Sequence, residues 1–337
     1  MKTDLAIIGQ GAVSPAGVGL DALLHGKTVE TMVPFVSRPD HQWPVYRVNL
    51  ADAAFARWQK EPRLRRASPI SYFLVEAASQ ALADLEPAKR GQTGLVVAFS
   101  TGCLAYSRRF FEDIIARGQK SASPALFPET VFNSPVSHVA ATLQLEGAAY
   151  ALAGDETAWV AALKTAWLWL EQERANQVLV LSAEEFDSAS LDAYRQAGWL
   201  KETGTKQRFI PSEGAAGLLV RKAVPGDQKI ISQLEDGFIY RSPAQALSAG
   251  QRCLQQFKPD LPCFQNAQGN WLADVENKLT GNRFASSASY LGEAVTASTA
   301  WNALRAAACL SSSCRRLLVP VWGRTHQIGA WQVEFAE

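Results

Sequence analysis

The stretch "LQLEGAAYALAGDETAWVAAL", residues 143–163, reads as a strand that runs through a turn of small residues into a helix. Such an elbow presents one side chain at a helix N-terminus, whose partial positive charge favours an anion and makes a thiolate available at neutral pH. It suits a nucleophile, yet this turn offers Asp155 and Glu156 and no Cys or Ser. A carboxylate is a poor acceptor of an acyl group from a thioester. It can act as a general base if burial raises its pKa by a few units, against the pull of the helix N-terminus. The plainer account is helix capping by Asp155, with an acid in the first turn stabilised by roughly 0.3–1 kcal/mol.

Three other places invite chemistry. Cys103 follows "FSTG", a strand and a Gly-bearing turn, and is a second candidate thiol. With no base visible beside it, a small buried hydrophobe is the better reading. His138 lies in the helix before the elbow, where a hydrogen-bonded structural role outweighs acid–base work. Gly9 and Gly11 in "DLAIIGQGAVSPAGVG" resemble the start of a dinucleotide loop, but Ser14 stands where the third glycine belongs, and a lone glycine pair is a weak signal. The five cysteines are odd in number and include no C-x-x-C, which speaks against a disulfide framework and a structural zinc site and fits a reduced, cytoplasmic setting. Neither metal nor cofactor is expected.

The 33 basic and 32 acidic residues leave no global field to hold nucleic acid or an anionic membrane surface. The apolar run in "MKTDLAIIGQG" is too short for a signal peptide, and no stretch approaches the ~20 apolar residues that span a bilayer.

The elements that must position these residues alternate. Leu5–Ile8 predicts a buried parallel-type strand before a Gly-rich loop. "SPISYFLVEAASQALADL", 68–85, predicts a helix with Ser68 as N-cap and Pro69 at the first helical position. "TGLVVAFS" predicts a central strand, "PVSHVAATLQL" a short helix, "NQVLVLSAEEFD" a buried strand ending in acids, and "SEGAAGLLVRKA" an edge-like strand. Beyond Pro225 the pattern restarts: "QKIISQLEDGFIY", "PDLPCFQNAQGN", "TASTAWNALRAAACL" and "RRLLVPVWG" predict strand, strand, helix, strand. An α/β fold with mainly parallel sheets follows, in two similar halves, 1–224 and 225–337, packed as one body.

The order of these patterns resembles the β-ketoacyl synthase branch of the thiolase superfamily over nearly the whole chain. "IIGQGAVSPAG" is similar to the family's opening strand and loop, "FPETVFNSPVSHVAATLQLEG" to the approach to its nucleophile, and "VLVLSAEEFD" to its G-G-x-E-like strand. "FIPSEGAAGLLV" resembles its E-G-A-G strand, the most specific match. "FQNAQGNWLADVE" resembles the N-A-H-G-T loop, and "SASYLGEAVTAS" the G-H-T-L-G segment. The resemblance implies a thiolase-like fold layered α-β-α-β-α. It also places the family's Cys and two His on Glu156, Gln268 and Ser289, with Asp155 taking the Cys position if the count slips by one. All three catalytic positions are then replaced.

Family members pair through the strand before the nucleophile, here Ala148, Ala149, Tyr150, Ala151, Leu152 and Ala153. The region of the family's gating loop becomes Trp322, Gly323 and Arg324, although a Trp in a late strand is more often core. The chain looks like a chain length factor: a non-catalytic partner that heterodimerises with an active β-ketoacyl-carrier-protein synthase and shapes its acyl tunnel, meeting acyl carrier protein indirectly. The implied setting is a type II polyketide or fatty-acid-like pathway, such as those making aryl polyene pigments. Two alternatives remain open. One is an enzyme using Glu156 or Asp155 as a general base; the other is a carrier-protein docking scaffold presenting Arg63, Arg65 and Arg66, a run that also reads as a solvated basic face.

Overall fold

The computed structural model describes residues 1–200, 209–265, 271–281 and 289–336. Its strands are β1 (Lys2–Ser14), β2 (Gly17–Val18), β3 (Glu30–Pro34), β4 (Gln42–Tyr46), β5 (Thr93–Phe99), β6 (Ala149–Ala153), β7 (Gln177–Glu184), β8 (Gly214–Lys222), β9 (Lys229–Ile239), β10 (Arg316–Gly323) and β11 (Gln327–Phe335). Its helices are α1 (Leu20–His25), α2 (Ala56–Gln59), α3 (Pro69–Ala81), α4 (Pro87–Arg90), α5 (Leu104–Arg117), α6 (Asn133–Leu143), α7 (Ala158–Glu171), α8 (Ser188–Gln196), α9 (Pro243–Leu254), α10 (Trp271–Thr280) and α11 (Val295–Cys309).

All strands but the β3–β4 hairpin share one mixed sheet, ordered β10-β11-β9-β1-β8-β7-β5-β6 with β2 beside β1. β5 and β7 are apolar through their middles (Leu95–Phe99 and Val178–Leu181) and wholly buried, as strands covered on both faces must be. On one face, α3 packs over β1, β7 and β8, and α6 over β5 and β6. On the other, α7 touches β5 and β7 but also β9 and β11, while α11 touches β7 and β8 but also β10. These two helices therefore lie between the two halves of the sheet, and α9 covers the far side of β9 and β11 with α10 beside it. The result is the five-layered α/β arrangement expected, with the main cluster of apolar residues around Trp159, Trp301 and Trp331 in the middle layer.

Four expectations are corrected. β1 does not stop at Ile8 but runs through both glycines to Ser14. A Cβ at Gly9 would lie 2.0 Å from the Ala81 carbonyl oxygen, and one at Gly11 would lie 1.9 Å from that of Ala77. The glycines therefore let α3 rest on the strand backbone and form no phosphate loop. β1 is antiparallel to all three of its partners, β2, β8 and β9, and among the described residues parallel ladders join only β5–β6 and β5–β7. β8 is no edge: its small residues lie between β1 and β7, covered by α3 and α11. "PDLPC" gives only an isolated bridge, Cys263 to Leu318, consistent with the missing N–H groups of Pro259 and Pro262.

Gly11→Ala should lower stability by about 1–3 kcal/mol, because the obstructing atom is a helix carbonyl that cannot turn aside. A lower urea midpoint at unchanged slope checks this.

Candidate functional site

β6 is the last strand of the sheet and feeds directly into the elbow. Gly154 closes the strand by donating its N–H to the Phe99 carbonyl at 2.9 Å, and Thr157, not Asp155, is the N-cap of α7. The Asp155 carboxylate bridges instead. Its Oδ1 accepts from the Thr157 N–H at 3.0 Å and the Thr157 hydroxyl at 2.6 Å. Its Oδ2 accepts from the Thr325 N–H at 3.2 Å and hydroxyl at 2.6 Å. Gly323 permits this approach, since a Cβ there would sit 2.1 Å from Oδ2.

Glu156 is also fully engaged. Oε2 accepts the Arg324 backbone N–H at 2.9 Å, and Oε1 pairs with the Arg324 guanidinium. The second arm of that guanidinium reaches Glu293 Oε2 at 3.0 Å. The three side chains are between 7% and 10% exposed, so the network is essentially dry. The rings of Trp199 and Phe209 flank the cation, with centroids 5.2 and 5.0 Å from Cζ. Burial pushes the Glu156 and Glu293 carboxyls up, and Arg324 pulls both back. Burial also opposes the Arg324 cation, but Glu293 and Glu156 outweigh it and hold the guanidinium above its ordinary value. The cation is thus fixed, and the carboxyls share it.

The acidic run after β7 proves equally occupied. Glu184 accepts from the Ser100 N–H, from the Thr101 N–H at 3.0 Å and hydroxyl at 2.6 Å, and from the Thr296 hydroxyl at 2.6 Å. Glu185 accepts from the Ser68 hydroxyl, from the Ile70 N–H at 3.2 Å and from the Ala105 N–H at 2.8 Å. One carboxylate thereby serves the first turns of both α3 and α5, and burial pushes its pKa up to about 7 against those bonds. Ser68 does stand at the N-cap of α3, but its hydroxyl is turned to Glu185.

Of the other sequence candidates, Cys103 is buried at the start of α5, and burial followed by Glu185 and Glu129 drives its thiol pKa well up, so it is an inert thiol. His138 Nε2 sits 2.9 Å from Glu129 Oε2, away from the elbow. Gln268 lies outside the described residues, and Ser289 opens a short 3-10 turn, Ser289–Leu291. Gly323 and Arg324 meet the elbow, whereas Trp322 packs with Tyr240 and Ile328 in the core under α9. Ala148 just before β6, and Ala149, Tyr150 and Ala153 along it, are exposed, Ala151 and Leu152 are half-buried, and among the described residues the only ladder is with β5. Exposed apolar side chains elsewhere include Phe111 and Ile115 on α5, and Phe127, Val131 and Phe132 before α6. Phe132 packs on Phe99, the register partner of Ala153.

Glu293, Thr325, Trp199 and Phe209 were not anticipated. A signal for Glu293 existed: it follows Leu291–Gly292, where the G-H-T-L-G segment continues with alanine. Among the described residues no group of His, Cys, Asp and Glu could hold a metal ion, and no helix is long and apolar enough to cross a membrane.

The sequence profile for the N-terminal domain of β-ketoacyl synthases matches residues 48–233. A search of curated proteins finds no match. Among solved structures, the ishigamide ketosynthase/chain length factor aligns with TM-score 0.82 at 20% identity, covering 99% of this chain and 100% of that one. A ketosynthase in complex with its chain length factor from Xenorhabdus doucetiae aligns at 0.77 and 15% identity, covering 99% and 98%. A type II polyketide acyl-carrier protein in complex with its hexaketide-bound ketosynthase gives 0.76 and 16%, covering 99% of each. At these identities the likeness establishes the thiolase-like ketosynthase fold.

Arg324→Leu should cost about 3–5 kcal/mol in urea unfolding, because two buried carboxyls lose their cation. Adding Glu156→Gln and Glu293→Gln should recover part of that loss. Separately, Glu185 has its folded pKa raised from 4.5 to about 7, so the stability it contributes is complete below pH 4.5 and is lost as pH rises through about 7. Glu185→Gln should flatten that slope; an unchanged slope would mean that Glu185 ionises at ordinary acidity in the folded chain.

Proposed function

The chain belongs to the β-ketoacyl synthase family, and we propose that it is a member without condensing activity of its own, which pairs with an active β-ketoacyl-carrier-protein synthase and helps to shape that partner's acyl tunnel. The reading rests above all on Glu156. It stands where the resemblance puts the nucleophile, and both of its carboxylate oxygens are held by Arg324. Acyl transfer needs a thiolate there, and neither Gln268 nor Ser289 supplies the imidazole needed to stabilise an oxyanion.

Pairing is supported by β6. Among the described residues its outer edge has no strand beside it, and Tyr150 and Ala153 are exposed, which is the kind of edge that proteins cover with a partner. The resemblance extends the setting to type II polyketide or fatty-acid-like assembly, of the aryl polyene kind, in the cytoplasm. Acyl carrier protein would then be met through the synthase.

One observation favours the general-base alternative: burial raises Glu156, as a base working near neutrality requires. The geometry opposes it. A base must point a free lone pair at substrate, and Glu156 and Asp155 direct theirs at Arg324, Thr325 and Thr157. The docking alternative has exposed Arg63, Arg65 and Arg66 in its favour, a face that solvent alone also explains.

The test is co-expression with a candidate partner β-ketoacyl-carrier-protein synthase, reading mass in solution and condensation of malonyl carrier protein. The chain alone should not condense, and a one-to-one complex should. With the partner in excess so that the complex is saturated, Glu156→Gln should leave its rate within about twofold, whereas loss of a base costs about 10²–10⁴-fold. Tyr150→Asp should prevent co-purification. An active homodimer that loses activity with Glu156→Gln would overturn the proposal.

A further inference from the structure

We infer that the charged network at the elbow is a positioning device for β6: Arg324 and Thr325, from the other half of the chain, fix the end of the strand that faces the partner. This rests on the reading of β6 as the partner edge. β6 has five residues and a ladder on one side only, so its course depends on what holds its two ends. At the start, the Ala148 carbonyl accepts the Leu95 N–H at 2.8 Å, and Gly147 lies so close to the Thr93 carbonyl that a Cβ would be 2.4 Å from it. At the finish, after the Gly154 bond to Phe99, the chain is held by Asp155 and Glu156. Their partners, Arg324 and Thr325, lie in the turn between β10 and β11.

That turn is itself anchored. The Tyr240 hydroxyl donates to the Gly323 carbonyl at 2.6 Å, and the Tyr240 N–H donates to the His326 carbonyl at 3.0 Å. Glu293, on the far arm of Arg324, is bonded through its backbone to Ile210 at 2.8 Å and Ser212 at 3.0 Å, in the segment entering β8. Local capping of α7 would need only Thr157 and a nearby acid. A buried cation with two carboxylates and two aromatic faces goes well beyond that and joins four separate segments at the root of one edge strand. A carboxylate at position 156 then has a use that a thiol could not serve.

The test uses Arg324→Lys, which keeps the charge but loses the fork that serves Glu156 and Glu293 together, and Thr325→Val, which removes one donor to Asp155. Amide hydrogen exchange is followed across the chain, and affinity for the partner synthase is titrated. Both variants should speed exchange at the β6 amides that bond β5 by about tenfold, leave β1, β7 and β8 unchanged, and weaken the complex by about tenfold. A uniform rise in exchange across the sheet, or a loosened β6 with unaltered affinity, would overturn the inference. If Tyr150→Asp leaves the complex intact, the partner-edge reading itself fails, whatever the Arg324 variants do.

Discussion

One buried guanidinium between two buried carboxylates governs the middle of this molecule. Removing charges from water is costly, and only close pairing with good hydrogen bonds offsets the cost. Arg324 meets that condition through a backbone N–H, both arms of its fork and two ring faces. Each partner then constrains its own segment: Glu156 the elbow, Glu293 the approach to α11, Trp199 the residues just after α8 and Phe209 those just before β8. These segments converge on the Arg324 guanidinium.

The same economy of polar groups recurs along one end of the sheet. Glu184, Glu185 and Glu213 accept hydrogen bonds from backbone N–H groups at Ser100, Thr101, Ile70, Ala105, Val48 and Phe186. These N–H groups, at the starts of α3 and α5 and in the segments after β4, β5 and β7, would otherwise be buried without acceptors. The three carboxylates thereby tie those segments together at one end of the sheet.

The sequence was legible wherever a pattern is local. The elbow, α3, α6, α11, β5 and β7 show themselves by apolar period, small residues and caps within a dozen positions. What failed was whatever depends on neighbours far along the chain. Gly9 and Gly11 read as a loop because only the helix lying on them explains their lack of side chains. The small residues of β8 read as an edge because the helices on either face are invisible to period. Glu156 and Arg324 are 168 residues apart, and no periodicity pairs them. Two charges of opposite sign, Glu156 in the elbow and Arg324 in the region likened to the gating loop, are the one available clue, and Arg324 stands out there as a cation unsuited to admitting an acyl chain.

The mutual dependence of Glu156, Arg324 and Glu293 also bears on descent. A neutral side chain at position 156 alone would leave a buried cation half-matched; changing Arg324 first would strand two acids. Every single replacement within the network therefore passes through a less stable molecule. The three charges act as a ratchet on sequence change, each held in place by the other two.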